Sequence, residues 1–581
     1  MDDLEVYGKN KEKLEKLIEA VRKITMPMGL NLNEQKCAIK YYRNVEETTE
    51  TSPIETNTNQ TNIIPQLLDE ESYKYLGIRQ ELWPVKEGYE ELAQQCVEIT
   101  KEILNSEISF NQKYEELAQQ CVDITREILN SEISWNQKCY GFKTLIVGKL
   151  RYIYETGSLA WERSSEMISA AKRLDSVMRQ VLNECKGKFQ GTSIARLYLD
   201  RGKGGCGWPS LEKEAELAVI NTYIYLRTQQ SLREVYDYHV KLGKRRKRSL
   251  VIDGERMLEK YGMQIREGPG TSWLIMHTQN ENQWLECKTV KEMRTTTRRI
   301  LHQMWNTQFL NEWQSLEVAG KIWRNENLDI EKSFSWLKRG WIGMKVMRNV
   351  IAAQENAIYC KGGPMNKTDD KSCRKCGNGK ETVDHILNHC NCWLKSLYME
   401  RHNAVARNVY FVLCKRHGLP LVHYSHTIPN NVENEEAILY WDTPIFTEAK
   451  IIHNRPDIVA IDKRKKKVLV IEFSIAGTTR LADQRAIKIN RYKLNSVERE
   501  TPTETPREGP NLIAEIRKIY RSDVYFLPII VGPCGELLKG TFEAVKKRME
   551  LNAGETEKLI ERIGRSAAEG SSRIISTHLA T

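Results

Sequence analysis

"RPDIVAIDKRKKKVLVIEFSI", residues 455–475, decides how the C-terminal third of the chain folds. Two apolar runs, 457–462 and 468–475, flank a basic pentad at 463–467, the pattern of a strand, turn and strand. Strand side chains alternate, so Val468, Val470 and Glu472 share one face and Leu469, Ile471 and Phe473 the other. Both faces are apolar, which predicts a strand covered on both sides with the Glu472 carboxylate inside it. Such burial is costly unless a cation or a hydrogen-bond donor meets the charge. Asp457 stands on the neighbouring strand, with fourteen residues between it and Glu472. Two carboxylates from adjacent strands can hold one or two Mg2+ ions, as metal-assisted phosphodiester hydrolysis requires. Lys488 and Tyr492, at i and i+4 on the helix expected next, would point back at them. The competing reading is an exposed strand-end Asp and a salt-bridged Glu. The pentad at 463–467 is expected at the hairpin tip, placed to touch phosphates near the carboxylates.

Upstream lies "CRKCGNGKETVDHILNHC", residues 373–390, with Cys373, Cys376, His385 and Cys390 spaced C-x2-C-x8-H-x4-C. Four such ligands can close a tetrahedron around Zn2+, with His385 and Cys390 on or beside a helix. A closed set leaves no position for substrate, so the expected role is structural. His389 and Cys392 are decoys or alternates.

The 581 residues suffice for three or four domains, and the composition, 28% charged and 40% hydrophobic, is that of a globular protein. Lys and Arg number 88 against 77 Asp and Glu, a net charge of +11, which suits a polyanionic partner without requiring one. No apolar run is long enough to span a membrane, and no basic-then-apolar leader is present, so neither a membrane nor secretion is expected. The 14 cysteines then read as thiols or metal ligands rather than disulfides.

Along the chain, residues 10–25 have helical spacing, 44–62 read as a polar loop, and "YKYLGI" at 73–78 as a strand. Residues 89–138 are a 25-residue tandem repeat, about seven helical turns per copy. In-line duplication would keep Leu92, Cys96, Ile99 and Ile103 on one face with Leu117, Cys121, Ile124 and Ile128, lengthening or doubling one helix. From 139 to about 350 the pattern is mostly helical. It is interrupted by "RLYLDRGKGGCGWPS" and by the basic run Lys244, Arg245, Arg246, Lys247 and Arg248, a phosphate contact, an import signal or a solvated face.

The stretch around Asp457 and Glu472 resembles the PD-(D/E)xK restriction-like nuclease core. More narrowly, the order zinc knuckle, "ERHNAV", "NRPDIV", "IEFSI", "KINRY" resembles the C-terminal half of the polyprotein of site-specific non-LTR (LINE-type) retrotransposons. "MDDLEVYG" is similar to that family's catalytic reverse transcriptase aspartate box, "GLNLNEQKC" to the palm motif after it, and "YKYLGI" to the primer-grip hairpin. "RLYLDRGKGGCGW" and "WLKRG…AAQENAI" resemble its thumb and linker.

The resemblance implies a protein that nicks target DNA and primes copying of the element RNA from the exposed 3′ end, in the nucleus. Asp457 and Glu472 would be the nuclease Mg2+ ligands, Lys488 the catalytic lysine, and Arg401 and His402 an "RH" pair near that site. Asp2, Asp3 and Lys36 would be remnants of a polymerase site whose other wall lies upstream, so polymerase activity is expected to be lost. The implied fold class is α+β and multidomain. It comprises a palm remnant at 1–80, a helical thumb-like region at 81–250, a helical linker at 251–345, linker and zinc knuckle at 346–395, an α/β restriction-like endonuclease at 396–545, and a C-terminal helix or tail at 546–581. Three features depart from the family: Glu472 stands where Asp is usual, Ser474 where the motif has Lys, and the repeat and the 44–62 loop look added. Such drift leaves open a second reading, a catalytically inactive nucleic-acid-binding remnant.

Overall fold

A computed structural model describes residues 73–75, 78–80 and 110–580, apart from 159–160, 162, 278–282, 364–365, 367–368, 422–426 and 495–510. Asp2, Asp3, Lys36, the 10–25 helix, the 44–62 loop and residues 89–109 of the first repeat copy lie outside the described residues. The chain divides into two units, residues 1–113 and 114–581. Of the first, the described part is an antiparallel hairpin of β1 (Tyr73–Tyr75) and β2 (Ile78–Gln80), in which Tyr75 pairs with Ile78. Within "YKYLGI", Tyr73–Tyr75 and Ile78 thus belong to two paired strands rather than to one.

The described chain is α+β. The second repeat copy does not continue as one helix. Helix α1 (Phe110–Asn130) stops, and Ser134 caps a new helix at Trp135–Gly141 by a reciprocal capping box with Gln137. The serine's oxygen satisfies a free helical N–H more cheaply than another helical turn would. Leu117, Cys121 and Ile128 are buried as the repeat face predicts, while Ile124 is only half-buried. Helices α2 (Ser164–Glu184), α3 (Leu211–Thr228) and α4 (Leu250–Lys260) follow. The segment expected to be a helical linker, 251–345, contains after α4 a three-stranded antiparallel sheet, β3 (Met263–Glu267), β4 (Trp273–His277) and β5 (Trp284–Cys287). Its strands are four or five residues long, too short for their alternation to stand out from the surrounding helical pattern. The long helix α5 (Val290–Ser315) and α6 (Met344–Gln354) resume the helical run.

"RLYLDRGKGGCGW" folds back on itself: Cys206 N donates to Arg196 O and Trp208 N to Leu197 O. Gly205 permits this, because a Cβ there would lie 2.0 Å from the Leu199 carbonyl oxygen. The turn presents fully buried Arg196 to Glu355 at 3.5 Å, with its guanidinium 4.3 Å from the Trp313 ring. Gln354 in turn donates to buried Glu536 at 2.9 Å. Sequence segments near 200, 355 and 536 are therefore tied by one buried polar network, costly to break because each deletion strands a charge.

The hairpin at 455–475 lies in a five-stranded sheet of order β10-β9-β8-β7-β6. The strands are β6 (Asn431–Glu433), β7 (Ala437–Trp441), β8 (Ile458–Asp462), β9 (Lys467–Ile475) and β10 (Asp523–Val531). All neighbours are antiparallel except β9 and β10, joined by a crossover containing α8 (Leu481–Ile489) and α9 (Leu512–Tyr520). Pro528 sits on edge strand β10, where a missing N–H is tolerated. Both faces are covered, as the apolar pattern predicts. Leu469, Ile471 and Phe473 pack with Val405, Val409 and Leu413 of α7 (Leu397–Arg416) and with Leu559, Ile560 and Ile563 of α11 (Ala553–Leu579). Val468 and Val470 pack on the opposite face with Leu512, Ile513 and Ile516 of α9. Each such side chain contributes about 1.5–3 kcal/mol of burial.

After α10 (Thr541–Met549), the segment expected as a C-terminal helix or tail is α11, a 27-residue helix packed into the core. Asn552 and Glu555 form its capping box, and small residues Gly564, Ala567, Ala568 and Ser571 lie on its buried face. Small side chains let it lie close to its neighbours: a Cβ on Gly570 would come 2.6 Å from Arg401 Cγ.

Candidate active site and metal centre

Asp457 immediately precedes β8, and Glu472 lies near the end of β9, so antiparallel pairing brings them together. Glu472 Oε2 accepts from Asp457 N at 3.2 Å, and Asp457 Oδ2 accepts from Phe473 N at 2.7 Å. From α8, Lys488 Nζ reaches Glu472 Oε1 at 2.5 Å. The position two residues after Glu472 is Ser474, so the cation comes from the helix instead. From the first turns of α7, His402 Nε2 stands 3.5 Å from Asp457 Oδ2, while its Nδ1 is 3.1 Å from Asn403 Oδ1. Tyr492 is buried beside them, its hydroxyl donating to Arg455 O at 3.3 Å and its ring stacked on Phe526.

Burial, then the charge of Asp457, pushes the Glu472 carboxyl above its ordinary range, with Lys488 opposing. Burial also acts to raise Asp457, but the His402 hydrogen bond and charge, the Phe473 N–H and Lys488 outweigh it, leaving it below 3.8. Burial would neutralise His402, yet oxygens facing both ring nitrogens hold its pKa above 6.5. Burial and both carboxylates push the Tyr492 hydroxyl well up. The pair therefore sits between the Lys488 amine and the His402 ring.

Arg401, next to His402, turns elsewhere. It is buried, donating to Ser571 Oγ and to the Leu387 carbonyl, both at 2.8 Å, and burial lowers its pKa to about 10. It ties α7 to α11 and to the Cys/His segment rather than facing the carboxylates.

The basic tip is also misplaced by the sequence reading. Lys463 to Lys467 cap the end of the hairpin opposite Asp457, about 16 Å away at 3.3 Å per residue. Lys463 pairs with Glu433, Arg464 with Glu436, and Lys465 and Lys467 with Glu550. The tip's charges hold the hairpin to its neighbours. Of the other basic run, Lys244, Arg245, Arg246 and Lys247 are exposed, but Arg248 is drawn in to Asp253 and the Ser158 carbonyl.

What does border the carboxylates is the loop 442–457. Asp442 N bonds Asp457 O at 2.9 Å, and Ile445 N bonds Asn454 O at 2.8 Å. Ile445 and Ile451 anchor the loop in the core, while their neighbours Phe446 and Ile452 are 86% and 63% exposed.

Cys373, Cys376, His385 and Cys390 converge, their ligand atoms all within 4.8 Å of one another. Cys373 Sγ and Cys390 Sγ are 3.9 Å apart, and Cys376 Sγ is 3.4 Å from His385 Nε2. A zinc tetrahedron with bonds of about 2.3 Å to sulfur and 2.0–2.1 Å to nitrogen has edges of ~3.8 and ~3.6 Å. The donor set and its spacing thus fit a metal such as zinc. Gly377 and Gly379, both at positive φ, shape the turn between the second and third ligands. His385 opens a π-turn, His385–His389, and Cys390 ends it, as the sequence places them. Burial and nearby His389 lower the pKa of His385, favouring the neutral ligand form. His389 instead pairs with Asp384 at 3.3 Å, and exposed Cys392 points to the Lys375 carbonyl, so neither alternate joins the cluster.

Two residues at the cluster were not foreseen: Glu381, inside the Cys/His segment, and His578, at the far end of α11. His578 lies 188 positions beyond Cys390, and no local pattern marks it. No family model matches the chain, and no curated protein matches it significantly. Among the described residues, no helix is long and apolar enough to cross a membrane.

Proposed function

We propose that the region from α7 to α11 is a Mg2+-dependent DNA endonuclease. On this reading the chain is part of a non-LTR retrotransposon reverse transcriptase/endonuclease that nicks target DNA in the nucleus to prime copying of element RNA. The observation that carries the nuclease reading is the meeting of Asp457, Glu472, Lys488 and His402, drawn from the entrance to β8, from β9 and from two helices, on one partly open spot. A merely structural ion pair would need only Lys488 and Glu472; a second carboxylate beside the first raises the electrostatic cost, and a metal ion would offset it.

Asp457 and Glu472 would hold Mg2+, which when bound stabilises charge on phosphate oxygens and acidifies a water. Lys488, already beside Glu472, is placed to donate to a scissile phosphate that displaces it from the carboxylate. His402, whose Nε2 faces Asp457, orients that carboxylate. Asp457→Ala or Glu472→Ala should abolish Mg2+-dependent nicking of supercoiled plasmid while DNA affinity stays within a few-fold, because affinity comes mostly from Lys and Arg at phosphates. A double variant that nicks at the parental rate overturns the reading.

A further inference from the structure

The C-terminal helix α11 ends against the Cys/His cluster, and its last turn carries His578, fully buried. Trp393 Nε1 lies 3.3 Å from His578 Nδ1. An indole nitrogen can only donate, so Nδ1 must offer its lone pair and the ring proton must sit on Nε2. That Nε2–H faces two acceptors, Cys373 Sγ at 3.7 Å and Glu381 Oε2 at 3.3 Å. Glu381 is well supplied without it: Arg374 Nη2 at 2.8 Å and the backbone N–H groups of Arg374 and Lys361, at 2.8 and 2.9 Å, already reach it. The Cys373 sulfur is buried, and among the described residues His578 is the one side-chain N–H donor placed on it.

Three thiolates around a divalent metal leave one net negative charge on the cluster. In a buried site that charge needs donors around the sulfurs. We propose that His578 is the outer hydrogen-bond donor to the metal-bound Cys373 sulfur, with Trp393 fixing its tautomer, so that metal binding and docking of the C-terminal helix are one event. The alternative, a second metal held by Cys373, Glu381 and His578, would have to sit beside the Arg374 guanidinium that Glu381 already binds. The same helix holds Arg401 through Ser571, so its docking reaches α7 beside His402. None of this depends on the nuclease reading.

The test uses the full chain loaded with zinc. His578→Phe keeps the ring's bulk and removes the donor; His578→Gln returns an N–H near the same place. Removing an outer partner of this kind costs about 10–100-fold in metal affinity. Zinc transfer to a chromophoric chelator should be faster by that factor in H578F and within about threefold of wild type in H578Q. With Co2+ in place of zinc, the thiolate-to-metal charge-transfer band should shift in H578F and return in H578Q. Trp393→Phe, which frees Nδ1 and keeps an aromatic ring, should give a partial version of both changes if H578F fails to fold. Removing zinc should expose the α11 C-terminus to limited proteolysis. Unchanged zinc transfer and an unchanged cobalt spectrum in H578F and W393F overturn the proposal. So does a second metal equivalent in wild type that is lost in H578F, which would make His578 a ligand.

Discussion

Two ligand clusters meet adjacent residues of one helix: Arg401 reaches the Cys/His segment and His402 reaches Asp457. They are built in opposite ways. The Cys/His cluster draws its four ligand residues from eighteen consecutive residues and makes a closed set of four. The carboxylate cluster draws its groups from α7, the residue before β8, β9 and α8, is partly open, and has Lys488 on one carboxylate. A closed thiolate set suits a metal that holds a fold, whereas a paired, half-open carboxylate set suits an ion that arrives with substrate.

The largest effect should come from breaking the closed cluster. Cys373→Ser or His385→Ala should lose one bound metal per chain, measured by elemental analysis. Hydrogen exchange should rise in residues 360–395 and along the end of α11. Structural zinc contributes folding free energy directly, on the order of 10 kcal/mol in isolated zinc-finger peptides. Finding no zinc in the native chain would remove this half of the comparison.

The carboxylate cluster should fail more gently. Lys488→Ala strands Glu472, which is 6% exposed, and breaking a buried pair costs about 3–5 kcal/mol in denaturant unfolding. Glu472→Gln with Lys488→Met should recover most of that loss, because no charge remains buried. If the double variant is as unstable as Lys488→Ala, the pair is not the source of the cost.

How far each cluster could be read in advance follows from the same difference. The C-x2-C-x8-H-x4-C spacing is written in one short stretch, so all four ligands were legible, and so was the hairpin, since alternation is local. Glu472 was legible for a different reason, as one charge in a strand apolar on both faces. His578 was not, because its role depends on a helix returning from far along the chain. The basic tip at 463–467 was misjudged because a run of charges announces a turn but not which end of the hairpin holds the carboxylates. Strands β3 to β5 were missed because four or five residues carry too little periodicity against a helical background.

Metal addition sharpens the comparison at a smaller scale. If Mg2+ binds Asp457 and Glu472 with a dissociation constant on the order of 1 mM, 10 mM Mg2+ should stabilise the fold by about 1.4 kcal/mol. That increment should vanish in Asp457→Asn and in Glu472→Gln and persist in a chain whose zinc site is intact but whose His578 is replaced. An equal Mg2+ increment in wild type and in both carboxylate variants would place the ion elsewhere.

The smallest effect concerns the hairpin tip, where charges pair at the surface. Glu550, at positive φ after α10, accepts from Lys465 at 2.5 Å, Lys467 at 2.8 Å and Arg416 at 2.9 Å. Hydrogen bonds from Lys465 and Lys467 lower its carboxyl to about 2, with burial opposing. A carboxylate depressed in the folded state binds fewer protons there than when unfolded. Its contribution is therefore present above the unfolded value of 4.5 and is lost as pH falls through about 2. Because the site is more than one-third exposed, solvent screening limits the contribution to about 0.2–1 kcal/mol. Glu550→Gln should cost that much at pH 6 in urea unfolding, and the gap from wild type should narrow steadily below pH 4.5. Added salt should narrow it as well. If these lysines instead stay free to contact DNA, Glu550→Gln will leave stability unchanged at pH 6, and Lys463→Gln with Lys465→Gln will weaken DNA binding and flatten its salt dependence. The ion pairs predict the reverse on both counts: a measurable stability loss, and a salt slope of DNA binding that stays at the wild-type value.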